Sequence, residues 1–459
     1  MSRSSVKIIT KTFSFLPGAF IFLAMNVISL SVKSQDVKSL TLQETIDLSL
    51  KNSHVLKASS AKIEEAVAQV KQAEDNKLPN ASVSGSYLYL ANPNLDIKTK
   101  AFSGSGGSDT SSNKGGIPHV NQAMYGIFNV SLPIFAGGKI RYGIESAKYL
   151  QQATMLDADN DKEGVILNTI NAYINLYKAS VTVNVVKENL LQSEHRDSVF
   201  TRLEQNGLLA RNDLLKAELQ TSNISLSLLD AESNLKIANV NMDLMIGYPE
   251  TTVLKTDSSG FDKNLSLKTV DDYEQVALQN RNDIRALSFR RKAAITGISV
   301  AKAEKYPTVA LTGGYIAADV PHVLTITNAI NIGVGLQYNL ASLWKSKAKI
   351  QQAQSREKEI VENEAQLSDA VRLQVNRDFE NLLLSQRKIS VFEKAVAQAE
   401  ENYRITKNKY DNALVNTTDL LDANVSLLQS KINLAVGRAD VLLAYSKLLE
   451  TTGTLSGNQ

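Results

Sequence analysis

One stretch of this chain occurs twice, with the second copy in register with the first and no gap between them. Shifting residues 202–247 by 206 positions lays Asn206 on Asn412, Asp213 on Asp419, Leu214 on Leu420, Ala217 on Ala423 and Gly247 on Gly453. In the first copy, apolar and small residues recur at alternating steps of three and four: Leu214, Ala217, Thr221, Ile224, Leu228, Ala231, Leu235, Ala238, Met242 and Met245. The second copy repeats the rhythm from Leu420 and Ala423 through Gly437, Val441, Ala444 and Leu448 to Thr451. A 3.5-residue period held over about five heptads is a coiled-coil seam, and small residues at alternate seam positions bring helix axes close together. Such a chain builds long paired helices, and the duplication requires that whatever surrounds one pair surrounds the other.

The rest of the 459 residues obeys that rule. Residues 41–78 carry a helical pattern that stops at Pro79, and a counterpart near 269–306 stops at Pro307, here at an offset of 228. Each proline is followed by a short β-type stretch, about 81–90 and about 308–317. A second strand follows at about 125–134 and about 331–340. In the last of these, Ile332, Val334, Leu336, Tyr338 and Leu340 alternate with Gly333, Gly335 and Gln337, the pattern of a strand with one face toward lipid. The intervening loops differ in length; residues 91–124 include a Gly/Ser run that absorbs the change of offset, which marks them as exposed hairpin tips. From 139 to about 205 and from 345 to about 411 there is no proline, so each stretch is expected to be a single helix of about 100 Å. The helices before the strands and after the turns are expected to stack end to end along these long ones. Residues 35–249 and 269–453 are thus two structural repeats, 250–268 a linker at mid-height and 454–459 a tail.

Composition narrows the function. Residues 1–34 read as a secretory signal peptide, with Arg3, Lys7 and Lys11 ahead of an apolar run and Val32 and Ser34 at the cleavage site, so the mature chain is expected to be exported. No later run of about 18 apolar residues could span a bilayer as a helix. A net charge of +3 with both signs interspersed gives no reason to expect nucleic acid as a partner. The absence of cysteine excludes disulfides, thiolate metal sites and a lipidated N-terminal cysteine. His54, His119, His195 and His322 have no ligand spacing, and no nucleophile triad, phosphate loop or dinucleotide fingerprint appears, so neither catalysis nor a cofactor or metal is expected.

Four strands in a membrane leave two edges of unpaired backbone, which other chains must close. Three copies would make a twelve-stranded barrel, and an exported β-barrel implies a bacterial outer membrane. Two tandem copies of helix, hairpin, long helix, turn and helix behind a signal peptide resemble the TolC-type outer membrane efflux protein family over nearly the whole mature chain. The local signatures are Pro79 and Pro307, the junction from Leu132 to Lys139 that contains Pro133, Gly137 and Gly138, and the paired turns at Gly207–Ala217 and Ala413–Ala423. The resemblance implies a mainly α homotrimer whose short twelve-stranded barrel continues into a long periplasmic α-helical barrel. It implies a passive exit duct served by a periplasmic adaptor and an inner-membrane pump of the RND, ABC or MFS type. Two departures stand out: the second junction, Asn339 to Lys345, lacks the proline and the glycine pair, and Ala413 replaces Gly207, with the neighbouring Asn412 expected to take the left-handed conformation.

The resemblance also places aspartates in a pore constriction, matching Asp419 and Asp422, with Asp213 in the first repeat; Lys216 replaces the second acid there. Threefold symmetry would make carboxylate rings that attract cations. Helix capping explains Asp213 and Asp419 equally well. Gly207, Leu208 and Leu209, with Ala413, Leu414 and Val415, put apolar residues at the tips, either as an adaptor contact or as packing inside the hairpin. Trp344, Tyr338, Phe135 and Tyr142 are expected at the membrane–periplasm interface, with core packing as the alternative. A different class of function, a periplasmic structural or adhesive coiled-coil protein without a channel, remains open at this point.

Overall fold

The computed structural model describes residues 37–91, 121–257, 267–321 and 324–457. The expected signal peptide, most of the first hairpin tip with His119, part of the linker, and His322 lie outside them. The first repeat runs β1 (Val37–Leu40), α1 (Leu42–Asn52), α2 (His54–Asp75), β2 (Asn80–Tyr89), β3 (Gln122–Phe135), α3 (Lys139–Gln205) and α4 (Arg211–Ile246). After β4 (Val253–Thr256), the second runs α5 (Val270–Asn280), α6 (Asn282–Ala303), β5 (Thr308–Val320), β6 (Leu324–Gln337), α7 (Ser342–Asp411) and α8 (Thr417–Thr451). The long helices are single elements of 67 and 70 residues, α3 and α7.

Each helix expected before the strands is in fact two. It starts with a capping box, Thr41 with Glu44 and Thr269 with Asp272, and breaks at Ser53 and Arg281, whose ψ values near 120° and 126° leave the helical region. No proline or glycine causes the break. The cause is the end of a distant helix: Asn52 Nδ2 donates to the Ile246 carbonyl at 2.5 Å, and Arg281 Nη1 donates to the Thr451 carbonyl at 3.1 Å. Each break thus satisfies a terminal carbonyl of α4 or α8, groups that no helix can pair internally. Ser53 then restarts the first helix by accepting from the Leu56 N–H.

The elements form a wall four wide. Strand order is β2-β3-β5-β6, antiparallel throughout. Helices α2, α3, α6 and α7 continue these strands and pack in the same lateral order. In the other half α4 lies against α3, α3 against α8, and α8 against α7. The repeated seam is the buried stripe: Leu214, Ala217, Ile224, Ala231 and Met242 are buried on α4, as are Leu420, Ala423, Gly437 and Leu448 on α8. At Gly437 a Cβ would stand 2.9 Å from the Phe392 ring, so glycine is what lets α7 and α8 approach there.

The densest core lies at mid-height. Tyr173, Leu176, Met242 and Ile246 form one cluster, Ile166, Ile170 and Ile174 a second, and Val371, Val375, Leu382 and Leu448 a third. Burying each of these side chains contributes about 1.5–3 kcal/mol. The linker is more than a connection: β4 pairs in parallel with β1, and the Tyr173 hydroxyl ties both to α3 through the Leu40 carbonyl at 2.9 Å and the Asp257 N–H at 2.8 Å.

Three further details differ from the sequence reading. Strand β6 ends at Gln337, so Tyr338 and Leu340 follow it rather than belong to it, and α7 begins at Ser342, which puts Trp344 in its first turn. The second junction turns without positive φ, with Asn339 Oδ1 accepting from the Ala341 N–H at 3.1 Å, whereas the first uses Gly137 and Gly138 at φ 60° and 87°. At the second tip it is Ala413, not Asn412, that is left-handed, at φ 57° against −100° for Asn412. The tight turn needs its left-handed residue at that one position, directly equivalent to Gly207 at φ 72°. An alanine held there is strained. Ala413→Gly is expected to stabilise the tip by about 0.5–1 kcal/mol. Hydrogen exchange of amides 408–416 should then slow roughly two- to fivefold.

Candidate functional site

Two regions carry chemistry that the wall itself does not need: the faces of the sheet and the helical tips at the opposite end. In an antiparallel pair directly opposed residues share a face, so the register assigns each side chain to one side. One face is apolar across all four strands. Val83, Phe128, Tyr315 and Ile330 form one row, Ala81, Val130, Gly313 and Ile332 the next, and Leu132, Leu311 and Val334 a third. Level with these rows the other face is small and polar, with rows Asn80, Ser131, Thr312 and Gly333, and Ser82, Asn129, Gly314 and Asn331; nearer the hairpin tips it also carries Ile127 and Ile316. The apolar residues find no cover within the chain: Val83 is 80% exposed and Ile332 83%. A soluble sheet puts such a face on a core; this one puts it outward. Strands β2 and β6 also leave their outer edges unpaired. Among the described residues no helix is long and apolar enough to cross a membrane, a fact with no bearing on a strand-built span.

The four expected interface aromatics gather where sheet meets helix. Phe135 ends β3, Tyr338 follows β6, Trp344 is 67% exposed in the first turn of α7, and Tyr142 is half-buried on α3 beside Gly138. Tyr306 joins them and was not singled out by sequence, although it directly precedes Pro307; a Cβ on Gly137 would stand 2.7 Å from it. On the same level Glu304 receives Lys349 at 2.6 Å and Lys139 at 3.5 Å, tying both long helices to the end of α6 and holding its carboxyl below the usual range.

At the other end, residues of α3, α4, α7 and α8 meet in one cluster: Phe200, Leu214, Ala217 and Leu420 are buried, with Leu209, Tyr403 and Tyr410 packed against them. Phe200 and Tyr410 stack with centroids 5.5 Å apart. Of the tip residues, Leu208 and Leu414 point outward while Leu209 and Val415 are half-buried, so one apolar residue per turn is free and the next packs inward. The three aspartates have different surroundings. Asp419 closes a capping box, accepting from the Asn416 N–H at 3.3 Å while its own N–H donates to Asn416 Oδ1 at 3.0 Å. Asp213 pairs with Lys216 at 3.4 Å, and Asp422 is exposed on α8 with no ion pair among the described residues. Asp419 and Asp422, three residues apart, lie on one side of α8. No group of three or more His, Asp or Glu is placed to hold a metal ion among the described residues.

Known proteins share this architecture. The solved structure of CusC superposes with a TM-score of 0.75 at 18% identity, covering 90% of this chain and 92% of that one. The open-state MtrE outer membrane channel of Neisseria gonorrhoeae gives 0.67 at 17% identity over 90% of this chain and 89% of that one. By sequence, the outer membrane protein TolC of Salmonella enteritidis is 25% identical over 335 residues, 68% of this chain and 65% of that protein. The chain therefore spans about two thirds of the length of the TolC proteins it matches. The outer membrane efflux protein BepC of Brucella suis biovar 1 is 21% identical over 397 residues, 85% of this chain and 86% of that protein. The model of outer membrane efflux proteins matches residues 45–248 and 274–454, most of both repeats. The chain belongs to the outer membrane efflux protein family.

Proposed function

We propose that three copies of this chain close into an exit duct, a twelve-stranded barrel in the outer membrane continuing into a helical barrel that reaches across the periplasm. The observation that carries this reading is the sheet: three exposed apolar rows on one face, small polar rows interleaved on the other and two open edges. In lipid each unpaired backbone group costs several kcal/mol, so the β2 edge of one copy must meet the β6 edge of the next. The polar face then lines the lumen and the apolar face meets lipid. At 67 residues α3 gives the helical part a reach of about 100 Å. The duct performs no chemistry. It passes drugs, metal ions, other small molecules or secreted protein delivered by an inner-membrane pump through a periplasmic adaptor. The outward Leu208 and Leu414 form the adaptor contact, each shallow, with affinity gained by multivalency over the trimer. The exposed aromatics around Trp344 sit at the membrane–periplasm boundary.

The test is fractionation of the full chain with outer membranes as a heat-modifiable trimer that conducts ions in planar bilayers. A soluble periplasmic trimer without conductance would overturn the duct and favour a structural coiled-coil protein. In the trimer Asp419 and Asp422 form stacked carboxylate rings at the constriction, with Asp213 nearby. Changing both Asp419 and Asp422 to Ala is expected to weaken block of the channel by divalent cations. Asn416→Ala removes the cap, at a cost of about 1 kcal/mol, but keeps both carboxylates and should leave block intact. Equal block in wild type and the double variant would show that capping is the whole role of Asp419.

A further inference from the structure

Where the sheet meets the helices, an open cavity of about 420 Å³ lies between the starts of α3 and α7, the end of α6 and the adjoining ends of β5 and β6. The register decides on which side of the wall it opens. Thr308 and Gln337 line it and are directly opposed, and Thr308 lies four residues before Thr312 on β5, so both belong to the polar face. The alternation carries on past β6: Asn339 and Ala341 line the cavity, whereas Leu336, Tyr338 and Leu340 do not. On α7 the lining residues are Ser342, Lys345, Ser346 and Lys349, a single stripe at helical spacing, with Leu343, Trp344 and Lys347 off it. The cavity thus opens on the polar side of the wall and not on the side of the apolar rows.

Its walls carry three lysines, Lys139, Lys345 and Lys349, against one carboxylate, Glu304, which leaves a net charge of +2. Glu304 holds Lys349 at 2.6 Å and Lys139 at 3.5 Å, so those two lysines are accounted for as ties between helices. Lys345 has no such account. It is exposed and makes no ion pair among the described residues. Local preference argues against its position as well, because the positive end of a helix dipole favours carboxylates in the first turn. Yet Lys139 is the first residue of α3, Lys345 lies in the first turn of α7, and neither first turn contains an acid. Positive charge is therefore concentrated here beyond what the fold uses, on the side that the duct reading makes the lumen.

We propose that in the duct these lysines form a cationic collar, at the junction of barrel and helices, that draws small multivalent oxyanions through the lumen. Three copies would repeat the +2 of each cavity around a closed water-filled passage. Low-dielectric walls focus such a field and raise the local concentration of counter-charged solutes, and rings of lysine or arginine serve anion and phosphate pores in this way. The collar deepens the duct reading and rests on it, since it needs the polar face to line a lumen and three copies to complete the ring. With Asp419 and Asp422 at the other end, cargo would meet opposite charge at the tips and at the barrel.

The experiment records conductance of the full-length trimer in planar bilayers, with tripolyphosphate added on the barrel side so that it reaches the collar without crossing the helical tips. A saturable fall in conductance is expected, weaker at high salt. Lys345→Glu should raise the half-blocking concentration about tenfold or more, and Lys345→Gln, which only removes the charge, should give a smaller rise. Lys347→Glu makes the same charge change two residues along but off the lining stripe, and should stay within about twofold of wild type. Glu304→Gln, which frees Lys139 and Lys349, should lower the half-blocking concentration. A conducting wild type that tripolyphosphate does not block overturns the collar and leaves the duct standing. So do equal effects of the two glutamate variants. A trimer that inserts but never conducts overturns the duct, and the collar with it.

Discussion

Ile332→Arg is expected to abolish insertion of the proposed trimer into the outer membrane, whereas Asn331→Arg, one residue away, leaves it intact. The two neighbours differ only in the face they occupy. Ile332 lies in the apolar row with Ala81, Val130 and Gly313, and Asn331 in the polar row with Ser82, Asn129 and Gly314. An arginine on the lipid face of a barrel costs about 2–4 kcal/mol near the midplane, and in the proposed trimer that cost would apply three times in one assembly. Lumen positions meet water, and an arginine there changes selectivity instead; Asn331→Arg should shift ion preference toward anions. The measurement is the heat-modifiable trimer in outer membranes, paired with reversal potentials for the Asn331 variant. Equal tolerance of both substitutions would mean that the sheet does not separate lipid from lumen.

The second large effect is a pH dependence at mid-height. Asp243 on α4 is fully buried; its Oδ2 accepts from Asn239 Nδ2 at 2.7 Å, while Oδ1 has no partner. Asn239 in turn holds β4, accepting from the Leu254 N–H at 2.8 Å and donating to the Thr252 carbonyl at 2.6 Å. Loss of water, with Glu250 adding repulsion, pushes the Asp243 carboxyl up to about 6 from 3.8. The folded chain therefore holds this proton more tightly than the unfolded chain does. Stability from this group is complete below pH 3.8, falls as pH rises, and is lost above about 6. The difference amounts to on the order of 2–3 kcal/mol. Asp243→Asn keeps an acceptor for Asn239 and removes the charge. Its unfolding midpoint should match wild type near pH 4 and exceed it above pH 6, measured by thermal unfolding across that range. Parallel profiles would show that Asp243 does not titrate in this window.

The helix breaks show where sequence reading stops. Both occur at equivalent places, Ser53 and Arg281, and neither residue is a helix breaker; the determinants are the Ile246 and Thr451 carbonyls, 194 and 170 residues away from their partners. The β1–β4 pair is similar, since four residues per strand carry no period and their partners lie far apart in the chain. The repeat is also less symmetric in packing than in pattern. Ala286 is fully buried because α6 lies between α3 and α7, whereas its counterpart Ala58 is exposed because α2 is at the edge of the wall.

Most of the elements were readable from the residues alone: the heptad seam, the helix-stopping Pro79 and Pro307 and the alternating strands each act over a few residues, and the duplication shows that they recur in the same order. The tertiary structure alone decided the order of elements across the wall, which carboxylates are paired and which charges are stranded. Those outcomes depend on contacts between residues far apart in the chain, where burial and partner geometry, rather than local propensity, set the free energy.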